Sequence, residues 1–274
     1  MLTRDNGLMD KYEALTFELN KRFSKGLTFT NNYTWAHNTT NALGTAPNSA
    51  IPTGGQGDNG ANVLNYFNVA ADSGNAYFTR RHRFVSTFVY DLPIGRGRTY
   101  LGNSSRAADL LIGGWSVTGV TLLQTGPWLT PYFKNGAADP SGTNPSLRSV
   151  KPGQRPDCIA GQSGYVSNPT IAQYFNVNAY SIPASNIGRF GTCGVGILQG
   201  PRTATFSMSL GKSLHLTEQL TLRYEAQFAN LFNITNYADP VMNVGSSAFG
   251  SVSQSQLVEQ AGPRTIQMML RLSF

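Results

Sequence analysis

Charge is scarce in this 274-residue sequence. Only 13% of its residues are Asp, Glu, Lys or Arg, about half of the ~25% usual for a soluble globular domain. Long hydrophobic runs are missing as well. No stretch approaches the ~18 consecutive apolar residues that cross a bilayer as a helix. That excludes a helical membrane protein and leaves a membrane barrel open, because barrel strands alternate instead of running hydrophobic. Residues 1–10 lack the basic start and apolar run of a signal peptide. An exported barrel needs one, so the expectation is that the true N-terminus lies upstream of Met1. Cysteine is limited to Cys158 and Cys193, both in a polar, Gly-rich region. One reading is a disulfide that staples a long exported loop; the other is two unrelated thiols.

Catalytic and metal motifs are also lacking. His37, His82 and His215 are the only histidines, and they do not have ligand spacing. No Ser, His and Asp set has the context of a nucleophile elbow. Gly55-Gln56-Gly57-Asp58-Asn59-Gly60 matches a dinucleotide fingerprint by letter, but no strand precedes it and no helix follows. Gly211-Lys212-Ser213 resembles the tail of a phosphate loop, yet Phe206 stands where the first glycine belongs. Asp58, Asn59 and Asp72 offer hard oxygen ligands for Ca²⁺ without EF-hand spacing. The net charge is +7, but the basic residues are scattered beyond Arg80-Arg81-His82-Arg83, so nucleic acid is not an expected partner. The chain is not expected to be an enzyme, and no cofactor is expected.

What the sequence does have is period-two alternation. At the C-terminus Ile266, Met268, Leu270, Leu272 and Phe274 share one face, and Thr265, Gln267, Met269, Arg271 and Ser273 share the other. Residues 220–234 set Leu220, Leu222, Tyr224, Ala226, Phe228 and Phe232 against Thr221, Arg223, Glu225 and Gln227. Residues 204–216 do the same with Phe206, Met208, Leu210, Leu214 and Leu216, a face that Lys212 interrupts. Similar segments lie at 12–23, 27–37, 82–92 and 114–126. In the last of these the phase blurs around Gly119, which predicts a bulge or a strand buried on both faces. About seven strands result, each long enough to cross a tilted bilayer path.

The connections alternate in length. Segments 24–26 and 217–219 are tight and 93–113 is intermediate, whereas 39–79, 129–200 and 235–261 are long and rich in Gly, Asn, Pro and Ser. Short periplasmic turns and long extracellular loops give membrane barrels this asymmetry. The final strand then runs from outside to inside and places Phe274 at the periplasmic rim. Trp35, Tyr33, Tyr90, Trp115, Trp128 and Phe232 fall near predicted strand ends, where aromatic girdles lie. On this reading Arg223, Glu225 and Arg271 face the lumen and pair there, the alternative being contact with a substrate. Arg148, Lys151, Arg155, Arg189 and Arg202 are loop cations facing solvent, lipopolysaccharide or an anionic ligand.

Several ordered segments resemble the C-terminal barrel of TonB-dependent receptors, in particular the Oar-like type with a carboxypeptidase-regulatory-like N-terminal domain. They include Lys21-Arg22-Phe23-Ser24-Lys25-Gly26-Leu27, Tyr33-Thr34-Trp35-Ala36, Arg81-His82-Arg83-Phe84 and Tyr90-Asp91-Leu92-Pro93. Gly113-Gly114-Trp115, Gln124-Thr125-Gly126-Pro127, Glu225-Ala226-Gln227-Phe228-Ala229-Asn230-Leu231-Phe232-Asn233 and the terminal Phe274 complete the series. The resemblance implies a 22-stranded outer-membrane transporter with an N-terminal plug driven through the TonB complex. Met268, Leu270, Leu272 and Phe274 would form the terminal strand read by the barrel-assembly machinery. Outer-membrane lipid and lipopolysaccharide would surround the wall, and the extracellular ligand is unknown.

The expected fold is therefore all-β: an antiparallel up-and-down transmembrane β-barrel, partial, as an open curved sheet of about seven strands with long extracellular loops. Residues 1–274 would be the C-terminal portion of the receptor barrel, without plug or signal peptide. Its role would be to supply barrel wall and mobile ligand-capture loops for nutrient uptake. The alternatives are a structural or adhesive outer-membrane barrel, including a small one completed by oligomerisation, and a secreted soluble β-sandwich that binds carbohydrate.

Overall fold

Alternation of β-branched or aromatic residues with Thr, Ser and Asn favours extended chain, and the fold is built from it. The computed structural model describes residues 7, 9–41, 64–65, 68–134, 138–142, 154–217, 219–257 and 259–274. In chain order the first strands are β1 (Asp10–Ser24), β2 (Leu27–Thr40), the two-residue β3 (Gly74–Asn75), β4 (His82–Asp91) and β5 (Trp115–Gln124). Four more two-residue strands follow: β6 (Trp128–Leu129), β7 (Asp157–Cys158), β8 (Tyr180–Ser181) and β9 (Leu198–Gln199). The series ends with β10 (Thr203–His215), β11 (Thr221–Ala229) and β12 (Thr265–Ser273). Helix α1 (Arg106–Ile112) lies between β4 and β5.

One sheet takes all the long strands in the order β1-β2-β4-β5-β10-β11-β12, with β3 attached to β2; β6 with β9 and β7 with β8 form small ribbons. Every long pair is antiparallel. The β1–β2 turn is Lys25-Gly26 with φ of 52° and 81°. Positive φ at both central residues is the type I′ geometry that matches strand twist in a two-residue hairpin. Strand β5 shows no bulge. Its register runs unbroken against β4 from Ser116 to Gln124 and against β10 from Trp115. Nor is it buried on both faces, since Val120 is exposed. The glycine that blurs its pattern has a packing reason: a Cβ on Gly119 would collide with the Phe88 ring.

The sheet is open. Among the described residues β1 pairs only with β2 along its length, and β12 only with β11. Asp10 lies across from Thr40, which leads into a long connection, and Thr265 lies across from Ala229, which leads into another. Both edge strands thus run from the loop end to the turn end. They are parallel to one another, so the sheet cannot join its own edges as an all-antiparallel barrel.

The largest hydrophobic cluster lies outside the sheet. Tyr77, Leu129, Tyr132, Phe175, Ala179, Tyr180, Leu198, Met242 and Phe249 come from all three long connections and pack into one core. The described parts of the long segments, expected as mobile loops, pack together into a cap at one end of the wall. Between β2 and β4, the Tyr77 hydroxyl donates to Asp239 of the third connection at 2.6 Å. Between the second and third, the Tyr132 amide donates to the Met242 carbonyl at 2.9 Å and the Val244 amide to the Tyr132 carbonyl at 2.7 Å. Backbone polar groups in long irregular segments need partners, and here each connection supplies them to the others.

Candidate functional site

Residues directly opposite in an antiparallel ladder point to the same side, so the register assigns two faces across all seven strands. One face carries Leu15, Phe17 and Leu19 of β1, Phe29, Tyr33 and Trp35 of β2, and Phe84, Phe88 and Tyr90 of β4. It continues through Trp115, Val117 and Leu123 of β5 and Phe206, Met208 and Leu210 of β10 to β11 and β12, where Leu222, Tyr224 and Phe228 meet Leu272, Leu270 and Ile266. No second layer covers it among the described residues. Leu270 is 67% exposed and Phe17 60%, values that a β-sandwich core would not leave.

Charges on this face keep to its ends. Lys11 and Glu13 form a 3.0 Å ion pair near the loop end. Near the turn end, Lys212 reaches the backbone carbonyls of Leu111 and Gly113 and lies 5.2 Å from the Trp115 ring centroid. The interruption at Lys212 is thereby a long side chain carrying its charge out of the apolar band. Asn31, Ser86 and Thr121 make one uncharged polar row across the face. From Trp35 to Leu27 on β2, the apolar stretch of the wall measures about 26 Å along the strand at ~3.3 Å per residue. That is close to the ~25 Å apolar band of outer-membrane barrels.

The other face is polar. Arg223 and Glu225 form an ion pair at 3.3 Å, with space for the guanidinium over Gly211. Arg271 stands directly across from Arg223 on β12 and makes no ion pair among the described residues. Toward the loop end the third connection bends over this face. Glu259 binds Arg83 at 3.1 Å and Gln124 at 2.6 Å, Gln256 accepts from the Thr203 hydroxyl at 2.9 Å, and Gln260 accepts from the Ser207 hydroxyl at 2.6 Å. Nothing in the amino-acid pattern marks 256–260 as a segment that lines the inside of the wall.

The cap is held by two further devices. Asp72 and Arg155 form a salt bridge with side chains only 3% and 4% exposed. Asp72 also accepts from the Leu64 amide at 2.8 Å, and the Arg155 Nε donates to the Cys193 carbonyl at 3.0 Å. Arg155 is therefore no solvated loop cation, because burial commits it to a carboxylate of the first connection. Asp72 serves that pair. Asp58 and Asn59, with Gly55–Gly60, and likewise Arg148 and Lys151, lie outside the described residues. Cys158 and Cys193 are joined by a disulfide, Cα to Cα 5.0 Å. Next to it Asp157 takes both guanidinium nitrogens of Arg189, at 2.6 and 2.7 Å, and the Thr192 amide at 3.0 Å. Arg202 is exposed.

The Arg189 guanidinium bonded to Asp157 holds that carboxyl below its ordinary value. Its stabilising contribution is therefore complete above the ordinary Asp pKa of 3.8 and is lost as pH falls through the lower folded value. Hydrogen exchange at the Thr192 amide, corrected for intrinsic rate, is expected to accelerate between about pH 5 and about pH 2. The acceleration should vanish in Asp157→Asn. Equal protection in both proteins across that range would refute the linkage.

The histidines have local roles. His82 bonds the Tyr33 hydroxyl at 2.8 Å, His37 bonds Asn75 at 3.2 Å and His215 bonds Thr221 at 3.0 Å. Within 93–113, helix α1 went unread in the sequence. Its marks are Ser105, whose side chain accepts from the Ala108 amide as N-cap, and the helix-favouring run Arg106-Ala107-Ala108.

A family model described as an outer membrane beta barrel domain matches residues 1–267. No curated protein and no solved structure matches the chain.

Proposed function

Because the chain belongs to the outer membrane beta barrel domain family and resides in the outer membrane, we propose that it is the wall and extracellular cap of a TonB-dependent nutrient receptor. The observation that carries this reading is the combination of parallel edges and a fused cap. Bacterial barrels close with an even number of antiparallel strands. A sheet of seven, both of whose edges run toward the turn end, can serve as a sector of a larger wall. Identical copies in one membrane orientation would meet only through parallel seams, which weighs against a barrel made by oligomerisation. The cap joins all three extracellular connections into one body. Its inner edge, at Gln256, Glu259 and Gln260, reaches the lumen-facing side chains. A ligand captured outside would then be coupled to the interior.

In this role the chain performs no chemical step. The lipid-facing residues hold the wall, and Arg223, Glu225 and Arg271 line the passage. A plug contributed by another segment gates it under the force of TonB. Lipopolysaccharide and phospholipid surround the wall. The deciding experiment uses cells carrying the complete gene: uptake of the organism's scarce nutrients is compared with and without the proton gradient and TonB. A nutrient whose uptake requires both, and is lost when the gene is deleted, supports a transporter. Unchanged uptake of every nutrient on deletion favours a structural or adhesive barrel instead.

The terminal strand offers a second test. Phe274 sits at the turn end and is almost wholly exposed. Near the membrane interface a charge costs only about 0–1 kcal/mol. Phe274→Asp is thus expected to refold into lipid vesicles nearly as well as the parent, yet to lose most of its assembly in cells if the terminus is read by the assembly machinery. Equal assembly in cells would remove that role.

A further inference from the structure

Resting on the membrane reading, we propose that residues 94–112, at the turn end, form a foot that sits in the inner leaflet of the outer membrane, with leucines in the acyl boundary and arginines at the phosphate level. Side-chain exposure comes first. Tyr100 is 63% exposed, Leu101 61% and Leu111 77%, with Leu110 also exposed. Turn-end connections in barrels are normally short and polar, so four large apolar side chains turned outward in one such connection need a non-aqueous partner. Strain comes second. Leu101 has φ of 59°, a conformation uncommon outside glycine and asparagine and an outlier for a bulky residue. The backbone is held in a form that leaves this leucine outside.

The direction of the foot follows from continuity with the lipid-facing wall. Trp115 and Lys212 occupy neighbouring, directly paired positions on that face. The indole of Trp115 donates to the Leu111 carbonyl at 3.1 Å, and the Lys212 amine bonds both the Leu111 and Gly113 carbonyls. The C-terminal end of α1 is therefore fastened to the lipid side of the wall rather than to its lumen side. Arg106 reaches the Leu216 carbonyl of the adjacent turn at 3.3 Å, which ties the helix to the rim. Asp109, the one carboxylate of the segment, is occupied by the Arg96 amide at 2.6 Å. Arg96, Arg98 and Arg106 are exposed. Apolar side chains beside three exposed arginines, against the single carboxylate of Asp109, match the boundary between acyl chains and phosphate headgroups. The partner is the glycerophospholipid leaflet itself, not a protein.

Variants of the full chain that add one free cysteine beside the Cys158–Cys193 disulfide, Leu101→Cys, Leu111→Cys, Leu210→Cys and Asn168→Cys, test the proposal. Each is labelled with an environment-sensitive fluorophore under non-reducing conditions and reconstituted into phosphatidylethanolamine–phosphatidylglycerol vesicles carrying shallow spin-labelled lipid. Labels at 101, 111 and 210 should be quenched, and the label on the cap at 168 should not. Quenching at 210 without quenching at either 101 or 111 overturns the foot and leaves the wall in the membrane. Absence of quenching at 210 as well removes the membrane reading on which the proposal stands. Replacing Arg96, Arg98 and Arg106 with Gln should reduce quenching at 111 at least twofold; unchanged quenching would overturn the phosphate contact.

Discussion

Asp72→Ala is expected to destabilise the extracellular cap by about 3–5 kcal/mol, the usual cost of removing one partner of a buried ion pair. The figure does not measure the strength of the bridge. It reflects the Arg155 charge left in an interior where its side chain is 4% exposed. The same substitution also removes the carboxylate that accepts from the Leu64 amide at 2.8 Å. Because the bridge links the first long connection to the second, the damage should appear across both. The measurement is protease susceptibility of the folded protein, read as the cleavage sites that open first. Cuts should appear in 68–80 and 154–200 at protease levels the parent survives, while the wall strands stay intact. A companion variant, Asp72→Leu with Arg155→Met, should recover much of the loss, since an apolar pair of similar volume is often as stable as a buried salt bridge. If Asp72→Ala resists protease like the parent, the bridge does not hold the cap.

Phe206→Arg is the second large expectation. Phe206 lies on the apolar face of β10 across from Thr121, in the row of Asn31 and Ser86 midway between the rows of Trp35 and Leu27. An arginine facing lipid at the bilayer midplane costs about 2–4 kcal/mol, roughly a 30- to 700-fold shift between inserted and uninserted chain at ~1.4 kcal/mol per factor of ten. The control is one strand away on the other face. Gln227 lies across from Ser209 and Gln267 with its side chain exposed, and Gln227→Lys should insert within threefold of the parent. Denaturant titration of insertion into vesicles reads both. Equal losses for the two variants would mean that the faces are not distinguished by their surroundings, and the lipid assignment of the apolar face would fail.

The wall was legible in the sequence because its signal is local. Alternation at 265–274, 204–216 and 27–37 states both the strand and its two faces, and the cross-strand register then aligns those faces without conflict. Strand ends were less legible. The pattern continues to Phe232, but β11 stops at Ala229, because Asn230 turns into the left-handed region at φ 49° and binds the Ile234 and Gly262 carbonyls with its side chain. The cap was hidden for a different reason. Its core joins Tyr77, Phe175 and Met242, residues far apart in sequence within segments that have no period, so composition alone reads them as coil. The same holds for Glu259, whose contact with Arg83 spans 176 positions. Helix α1 is short enough that its cap and a few favourable residues were its only marks.

The central claim is that one side of this sheet meets lipid and the other does not. A labelling scan of β10 at Phe206, Ser207, Met208, Ser209 and Leu210 in lipid vesicles tests it most directly, using spin-labelled acyl chains as the quencher. Strong quenching at 206, 208 and 210 and weak quenching at 207 and 209 is the expected result. Quenching that is uniform along the strand, or stronger at the serines, would contradict the account.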